Sequence, residues 1–520
     1  MRSLGISLLD APEPLRLIGN PEENFYILGK KHQQAFQKLA QRFITPPTWR
    51  EQLEGLKSPW RRPVSPEIPA NTWGDWLKSY CEGLEVPVAR YLEFLQRLEA
   101  SLPPTGTSVL CWNAGAQKAQ HLRLIDTPAH LQAGENASEL ILIEVSGAPS
   151  LLLVCMPNLP FLPLAAMNSH GVTLAVHAKY HQVQHAEGRP ISEIVIEGLL
   201  HAKNVNELKR HIKNSQTQRL WGLISTDPAG SVMGLDIAGP QLDALHTDLQ
   251  ESNLMVFNAA PLVKSKELEA VEPPNFAHFC RMQRQWAQDR LKNGEDDHPL
   301  ITLTRAHKLT KDFAPAISSA TRIGLMLTPA TLGLDYLLGP APIWQQGEML
   351  RWQNLFTTQM RNPTTASFSY PKDERAQWKV RQLYTLAQDA LDAGDATAAF
   401  HHLQMGLAQA QGELASLGGW VWSWWQWRYS DNKRDRLMLY HSTHETLANT
   451  SSIQKGHVLL LRMILEVELK LVPTVTPLDL TGALRSWSET YLMRGPTERH
   501  EMARSLEARL DIQDLTPLSS

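Results

Sequence analysis

Apolar residues recur at three- and four-residue spacing over Gln34–Phe43 and again over Trp73–Leu98, with prolines grouped between the two runs. That is a helical period, so the chain from about Leu15 to Ala100 is expected to be helical. From Thr107 the period changes. Ser108–Cys111, Glu139–Val145, Ser150–Met156, Thr173–His177 and Leu220–Ser225 are short, apolar and partly β-branched, with turn residues between them, and they predict strands. Helical patterns return at Ile191–Ala202 and Val205–Asn214. Strands that bracket two helices predict helices layered on sheet. The Pro/Thr/Ser-containing stretch Arg361–Lys372 reads as a linker, and the chain beyond it is helical in pattern to Leu510. There Ala376–Leu391, a Gly394-Asp395 turn and Ala396–Ala410 form one helix-turn-helix pair, and a single pair is not a repeat array. Trp420, Trp422, Trp424, Trp425 and Trp427 crowd into one segment. A packed seam is the expected role, because Trp is normally well buried; an aromatic binding surface is the alternative.

Composition narrows the classes. A chain of 520 residues is too long for one ordinary core and predicts two or three domains. With 43% hydrophobic and 20% charged residues it belongs with globular proteins. The net charge of -3 gives no electrostatic case for nucleic acid or an anionic membrane as partner. Cys81, Cys111, Cys155 and Cys280 lack Cys-x-x-Cys spacing, which argues against a zinc site or a disulfide framework. No run approaches the ~20 apolar residues of a membrane helix, and Met1–Gly19 lacks a signal-peptide core. A cytoplasmic location is expected.

The candidate chemistry begins at Gly106-Thr107-Ser108-Val109-Leu110-Cys111, followed by Arg123 and Asp126. These residues resemble the start of the catalytic half of N-terminal-nucleophile (Ntn) hydrolases, in particular the acyl-CoA:6-aminopenicillanate acyltransferases and their choloylglycine-hydrolase relatives. Further landmarks follow in order: Gly19-Asn20-Pro21-Glu22-Glu23, Glu82–Pro87, Met167–Val172, Gly188-Arg189-Pro190, Asp227–Gly230, Val256–Ala259, Ile317–Ser319 and Leu337–Pro340. The resemblance covers roughly Leu15–Phe356. It implies an α+β protein: a four-layer αββα Ntn-hydrolase domain over 106–360, preceded by a helical pro-region-like segment over 1–105. An all-α C-terminal domain over 373–515 lies outside it.

In such enzymes a processed chain exposes a first residue that supplies both a nucleophile and an α-amino group. The amine titrates near ~7.7–8.0 and serves as general base at neutral pH. The nucleophile attacks an amide carbonyl, and polar donors meet the oxyanion. The resemblance assigns Arg123 and Asp126 to holding the amine, as a buried ion pair, and Asn258 to the oxyanion side. Two registers are open for the nucleophile. Aligning Thr107-Ser108 with the family's Thr-Ser puts Gly106 at the nucleophile and removes the reacting atom. A shift by one residue puts Thr107 there, with Gly106 before the scissile bond. The family's second Asn and a helix Arg correspond to Ala178 and Glu197, two further departures.

Two functions follow. One is an amidohydrolase or acyltransferase acting on a linear N-acyl bond and self-processed at Gly106-Thr107, with catalytic Thr107, Arg123, Asp126 and Asn258. The other is an inactive Ntn-fold descendant that binds an acyl-amide or acyl-thioester ligand, or a protein partner or second copy through the helical domain. No cofactor and no metal are expected. His177, His181 and His185 recur every four residues, but the run starts in a predicted strand, where that spacing is too wide for one ion. His401, His402, His441 and His444 read as solvated helix residues, and Glu295–His298 as a surface turn. Cys111 shares the strand face of Thr107 and reads as a core thiol.

Overall fold

The computed structural model describes residues 14–44, 70–101, 106–126, 138–144, 146–179, 188–239, 241–258, 262, 276–293, 298–304, 321–337, 348–357, 362–367, 372–430, 432–451, 454–510 and 515–517. They fall into two compact units. The first comprises 1–271 and 321–368, and the second 272–320 and 369–519.

Among the described residues the first unit opens with β1 (Leu15–Leu17) and the helices α1 (Pro21–Ile44), α2 (Thr72–Leu84) and α3 (Val88–Ser101). The single helical run expected over Trp73–Leu98 is broken between α2 and α3. Glu85 caps α2 in the left-handed region at φ 59°, and Pro87 cannot continue the helix hydrogen bonding. α1 crosses α2 at two glycines: a Cβ on Gly29 would stand 2.3 Å from the Tyr80 carbonyl oxygen, and one on Gly83 2.1 Å from that of Tyr26. Only glycine allows that approach.

Next come β2 (Thr107–Asn113), β3 (Lys118–Asp126), β4 (Glu139–Ile143), β5 (Leu151–Met156), β6 (Leu159–Asn168) and β7 (Thr173–Ala178). Helices α4 (Ile191–His201) and α5 (Val205–Ile212) lead to β8 (Thr217–Thr226), β9 (Ser231–Gly239) and β10 (Gln241–Asp248). The short α6 (Leu249–Ser252) and β11 (Leu254–Phe257) follow. The second unit then contributes α7 (Phe276–Asn293) and α8 (Pro299–Thr304). The first unit closes with β12 (Thr321–Thr328), β13 (Gly333–Leu337), β14 (Glu348–Trp352) and β15 (Thr364–Ser367). β15 pairs with β14, so the stretch expected to be a linker holds an edge strand.

Two sheets result, in the orders β1-β4-β5-β6-β7-β8-β9-β10, antiparallel except for the parallel β1–β4 pair, and β11-β2-β3-β12-β13-β14-β15, antiparallel throughout. One face of the eight-stranded sheet packs on α1 to α5, where Phe25, Trp73, Tyr80 and Ile194 meet Leu153, Leu174 and Leu235. Its other face packs on the seven-stranded sheet, with Leu142, Leu152 and Met167 against Leu325, Leu334 and Trp352. Among the described residues this unit is a mixed α+β stack of helix, sheet and sheet. Asn168, fully buried, accepts from the N–H groups of His170 and Val172 and donates to the Leu199 and Ala202 carbonyls, tying the Gly171 turn to the end of α4.

The second unit holds α9 (Lys372–Asp392), α10 (Ala396–Leu407), α11 (Gly412–Tyr429), α12 (Lys433–Asn449), α13 (Lys455–Leu469), α14 (Gly482–Met493) and α15 (Pro496–Arg504), with the small hairpin β16 (Leu506–Ala508) and β17 (Leu515–Pro517). Trp420, Trp424, Trp425 and Trp427 are buried in its core, while Trp422 is only half-buried. No helix among the described residues is long and apolar enough to cross a membrane.

Candidate functional site

β2 and β3 run antiparallel with Thr107 opposite Leu124 and Ser108 opposite Arg123. Directly paired residues share a face, and successive residues alternate. Ser108 Oγ lies 2.8 Å from Nε2 of His177 on β7 of the other sheet, so Ser108 and Arg123 face the interior between the sheets. Alternation turns Thr107 to the opposite face. Its side chain is buried, and its hydroxyl has no hydrogen-bond partner among the described residues.

Position 106 is where Arg123 and Asp126 converge. The Gly106 N–H donates to Asp126 Oδ2 at 2.9 Å. Asp126 Oδ1 accepts from the Thr321 hydroxyl at 2.5 Å, which ties β3 to β12. Gly106 has φ +87°, and a Cβ there would meet the Leu124 carbonyl oxygen at 2.7 Å and Arg123 Nη1 at 2.8 Å. A side chain at 106 would therefore compete with the guanidinium for the same space.

Arg123 is buried, and the described hydrogen bonds of its guanidinium go to the Val176 carbonyl (2.7 Å), the Leu124 carbonyl (3.3 Å) and His177 Nδ1 (3.2 Å). The expected ion pair is thus not a direct hydrogen-bonded contact; Asp126 acts on Arg123 by its charge. Burial pulls the guanidinium down to about 9, against the pull of Asp126, so it stays protonated at neutral pH.

The tautomer of His177 follows from its partners. Arg123 can only donate, so Nδ1 must accept. Burial, and then the charges of Arg123 and Lys179, hold the ring well below its usual range, and it is neutral. The one ring proton therefore sits on Nε2 and is donated to Ser108 Oγ. In that state His177 cannot take a proton from Ser108. His121 has the reverse assignment. Thr173 gives its hydroxyl proton to the Thr226 carbonyl and accepts from His121 Nδ1 at 2.9 Å. His121 Nε2 is left as a buried acceptor without a partner among the described residues, and burial pushes this ring down to about 3. Lys179 and Asp236 form a further buried ion pair on the same sheet face as His177.

The remaining expected positions lie apart from this cluster or serve the fold. Asn258 is buried and directly follows β11, whose last residue, Phe257, pairs with Ser108. Ala178 packs on the helix side of its sheet. Glu197 accepts the Trp73 N–H at 2.6 Å and so satisfies the start of α2. Cys111 donates to Gln120 Oε1 at 3.4 Å, and burial pushes its thiol up to about 12. His401, His441 and His444 are exposed and His402 is half-buried. His181, His185, Glu295–Asp297 and Ile317–Ser319 lie outside the described residues. Among the described residues no group of three or more His, Cys, Asp or Glu could hold a metal ion. Ser108, His121, Thr173 and His177 were not read as site residues from sequence. The available signal was Thr173, His177 and Lys179 at even spacing on one strand face.

No protein-family model matches the chain, and no curated protein does. Among solved structures, a mutant of the conjugated bile acid hydrolase from Clostridium perfringens is similar at 12% identity with a TM-score of 0.33, over 52% of this chain and 98% of that one. Penicillin V acylase from Agrobacterium tumefaciens is similar at 10% identity with a TM-score of 0.32, over 51% of this chain and all of that one.

Proposed function

We propose that this chain is a non-catalytic descendant of the Ntn-hydrolase fold, in which the place of the nucleophile has become part of a sealed polar core. On this reading the protein acts by binding a ligand or partner and does not cleave amide bonds. The observation that carries it is position 106. Its N–H faces the Asp126 carboxylate and its side-chain direction faces Arg123, the two groups that would hold a nucleophilic residue, yet the residue is glycine. The neighbouring groups support the same reading. His177 is in the wrong tautomer to activate Ser108, and the Cys111 thiol is far from ionised at neutral pH. Residues 373–515 are proposed as the contact-making domain of the same protein.

One observation favours the second reading, a Thr107 amidohydrolase or acyltransferase. The Thr107 hydroxyl is buried with no partner, directly after a glycine in the left-handed region, and a side chain poised to attack its own preceding peptide bond would need such freedom. Intact mass of the purified protein separates the two. A single full-length chain is expected; fragments of about one fifth and four fifths of the length, the larger starting at Thr107 and lost in Thr107→Ala, would overturn the non-catalytic reading.

A further inference from the structure

In the second unit α10, α11 and α12 enclose a groove of about 800 Å³. Its aromatic wall is Phe400, Trp422 and Tyr429, with ring centroids 5.2 Å apart for Phe400 and Trp422 and 6.1 Å apart for Phe400 and Tyr429, both edge-to-face. Tyr429 is 49% and Met438 63% exposed, so large apolar surface faces solvent here. A Cβ at Gly419, on the α11 side, would meet nothing within 4 Å. The tryptophan segment thus divides: four rings build the core, and Trp422 lines an open groove.

The charges in the groove are sorted. Among the described residues Asp435 and Glu445 are its only charged lining residues, and no described Lys, Arg or His lines it. This holds although α12 begins Lys433-Arg434-Asp435-Arg436. Arg436 is held by the Ser430 carbonyl and by Glu468, to both of which it donates. Asp435 and Glu445 lie ten residues apart on one helix, about 15 Å at the helical rise. An extended segment covers that distance in about four to five residues.

We propose that this groove binds an extended peptide segment of another protein, with apolar or aromatic side chains flanked by two Lys or Arg residues about four positions apart. The apolar side chains would fill the Phe400–Trp422–Tyr429 wall, and the cations would pair with Asp435 and Glu445, with cation–π contact to the aromatic faces. The inference does not depend on whether the first unit is catalytic.

The test uses the full-length protein and two fluorescein-labelled peptides, Lys-Leu-Phe-Leu-Lys and Glu-Leu-Phe-Leu-Glu, followed by anisotropy. The lysine peptide should bind at least about tenfold more tightly, and less tightly as salt is raised. Asp435→Lys combined with Glu445→Lys, both at exposed helix positions, should reverse the preference. Trp422→Leu should weaken the lysine peptide at least about tenfold while the melting temperature is held. Equal binding of both peptides, or binding of neither, would overturn the proposal. So would sedimentation showing a dimer that Trp422→Leu dissociates, because the groove would then belong to a second copy.

Discussion

The interior of the two-sheet sandwich and the groove of the helical unit both combine polar groups with large side chains, yet they treat them in opposite ways. Between the sheets, the two Nη groups of Arg123 donate to Val176, Leu124 and His177 while its buried Nε has no partner among the described residues, His177 donates its proton to Ser108, and Asp126 holds Gly106 and Thr321. A substrate could enter only by breaking bonds inside a low-dielectric core, where each unsatisfied group costs ~1–3 kcal/mol. In the groove, Glu445 and Tyr429 face solvent, and binding would strip only water. Polar residues near a family motif are therefore weak evidence of a working site, because the same groups can be consumed by the fold.

The hardest test of this contrast removes Arg123. Arg123→Met strips donors from His177 Nδ1 and two buried carbonyls, and should cost about 3–5 kcal/mol, the scale for breaking a buried charged network. Urea denaturation measures it, and a loss under ~1 kcal/mol would mean the cluster is not sealed.

Gly106→Ala should come next, at about 2–4 kcal/mol, combining a left-handed backbone with crowding against Leu124 and Arg123. A neutral outcome in the same assay would show that position 106 has room for a side chain, and would revive the catalytic reading.

Acid should loosen the sandwich while leaving the groove's geometry alone. In the fold His177 lies well below its usual range and His121 at about 3; unfolded, each titrates near ~6.5. Stability is therefore full above ~6.5 and falls as pH drops toward the folded values, because the unfolded chain binds protons that the fold refuses. The expected slope is ~1.4 kcal/mol per pH unit for each ring. Urea midpoints at pH 7, 6 and 5 read it, and His121→Asn should remove about one proton from the slope. A flat profile would show that these rings take up protons in the fold.

The smallest effect should be at Thr107. Its hydroxyl has no partner to lose, so Thr107→Val is expected to change stability by less than ~1 kcal/mol, or to gain slightly. A loss above ~2 kcal/mol would mean the hydroxyl is bonded after all.

Much of the secondary structure was legible. Ser108–Cys111, Thr173–His177 and Leu220–Ser225 lie within β2, β7 and β8, because alternation and β-branching act locally. β6 was missed because Leu159-Pro160-Phe161-Leu162-Pro163 reads as non-strand. The prolines are tolerated where the pairing with β5 shifts register, at Cys155 opposite Pro163. β15 was hidden in the Pro/Thr/Ser stretch because an edge strand needs little apolar content. Near position 106, Arg123 and Asp126 could be singled out in the sequence by their place after the Gly106-Thr107-Ser108 run, whereas the bond of Ser108 to His177, 69 residues away, could not.

By itself the sequence determined where many of the helices and strands run, and that a tryptophan-rich helix must bury most of its rings. These follow from backbone sterics and the period of apolar residues, which are properties of neighbouring positions. Only the tertiary structure decided which face of β2 looks into the sandwich, that Arg123 stands beside position 106 and Ser108 with Thr107 turned away, and that Trp422, alone of the five tryptophans in its segment, lines the groove. The reason is that a strand's alternation fixes two faces but not which of them another sheet covers, and a helix's stripe does not say where its partners end.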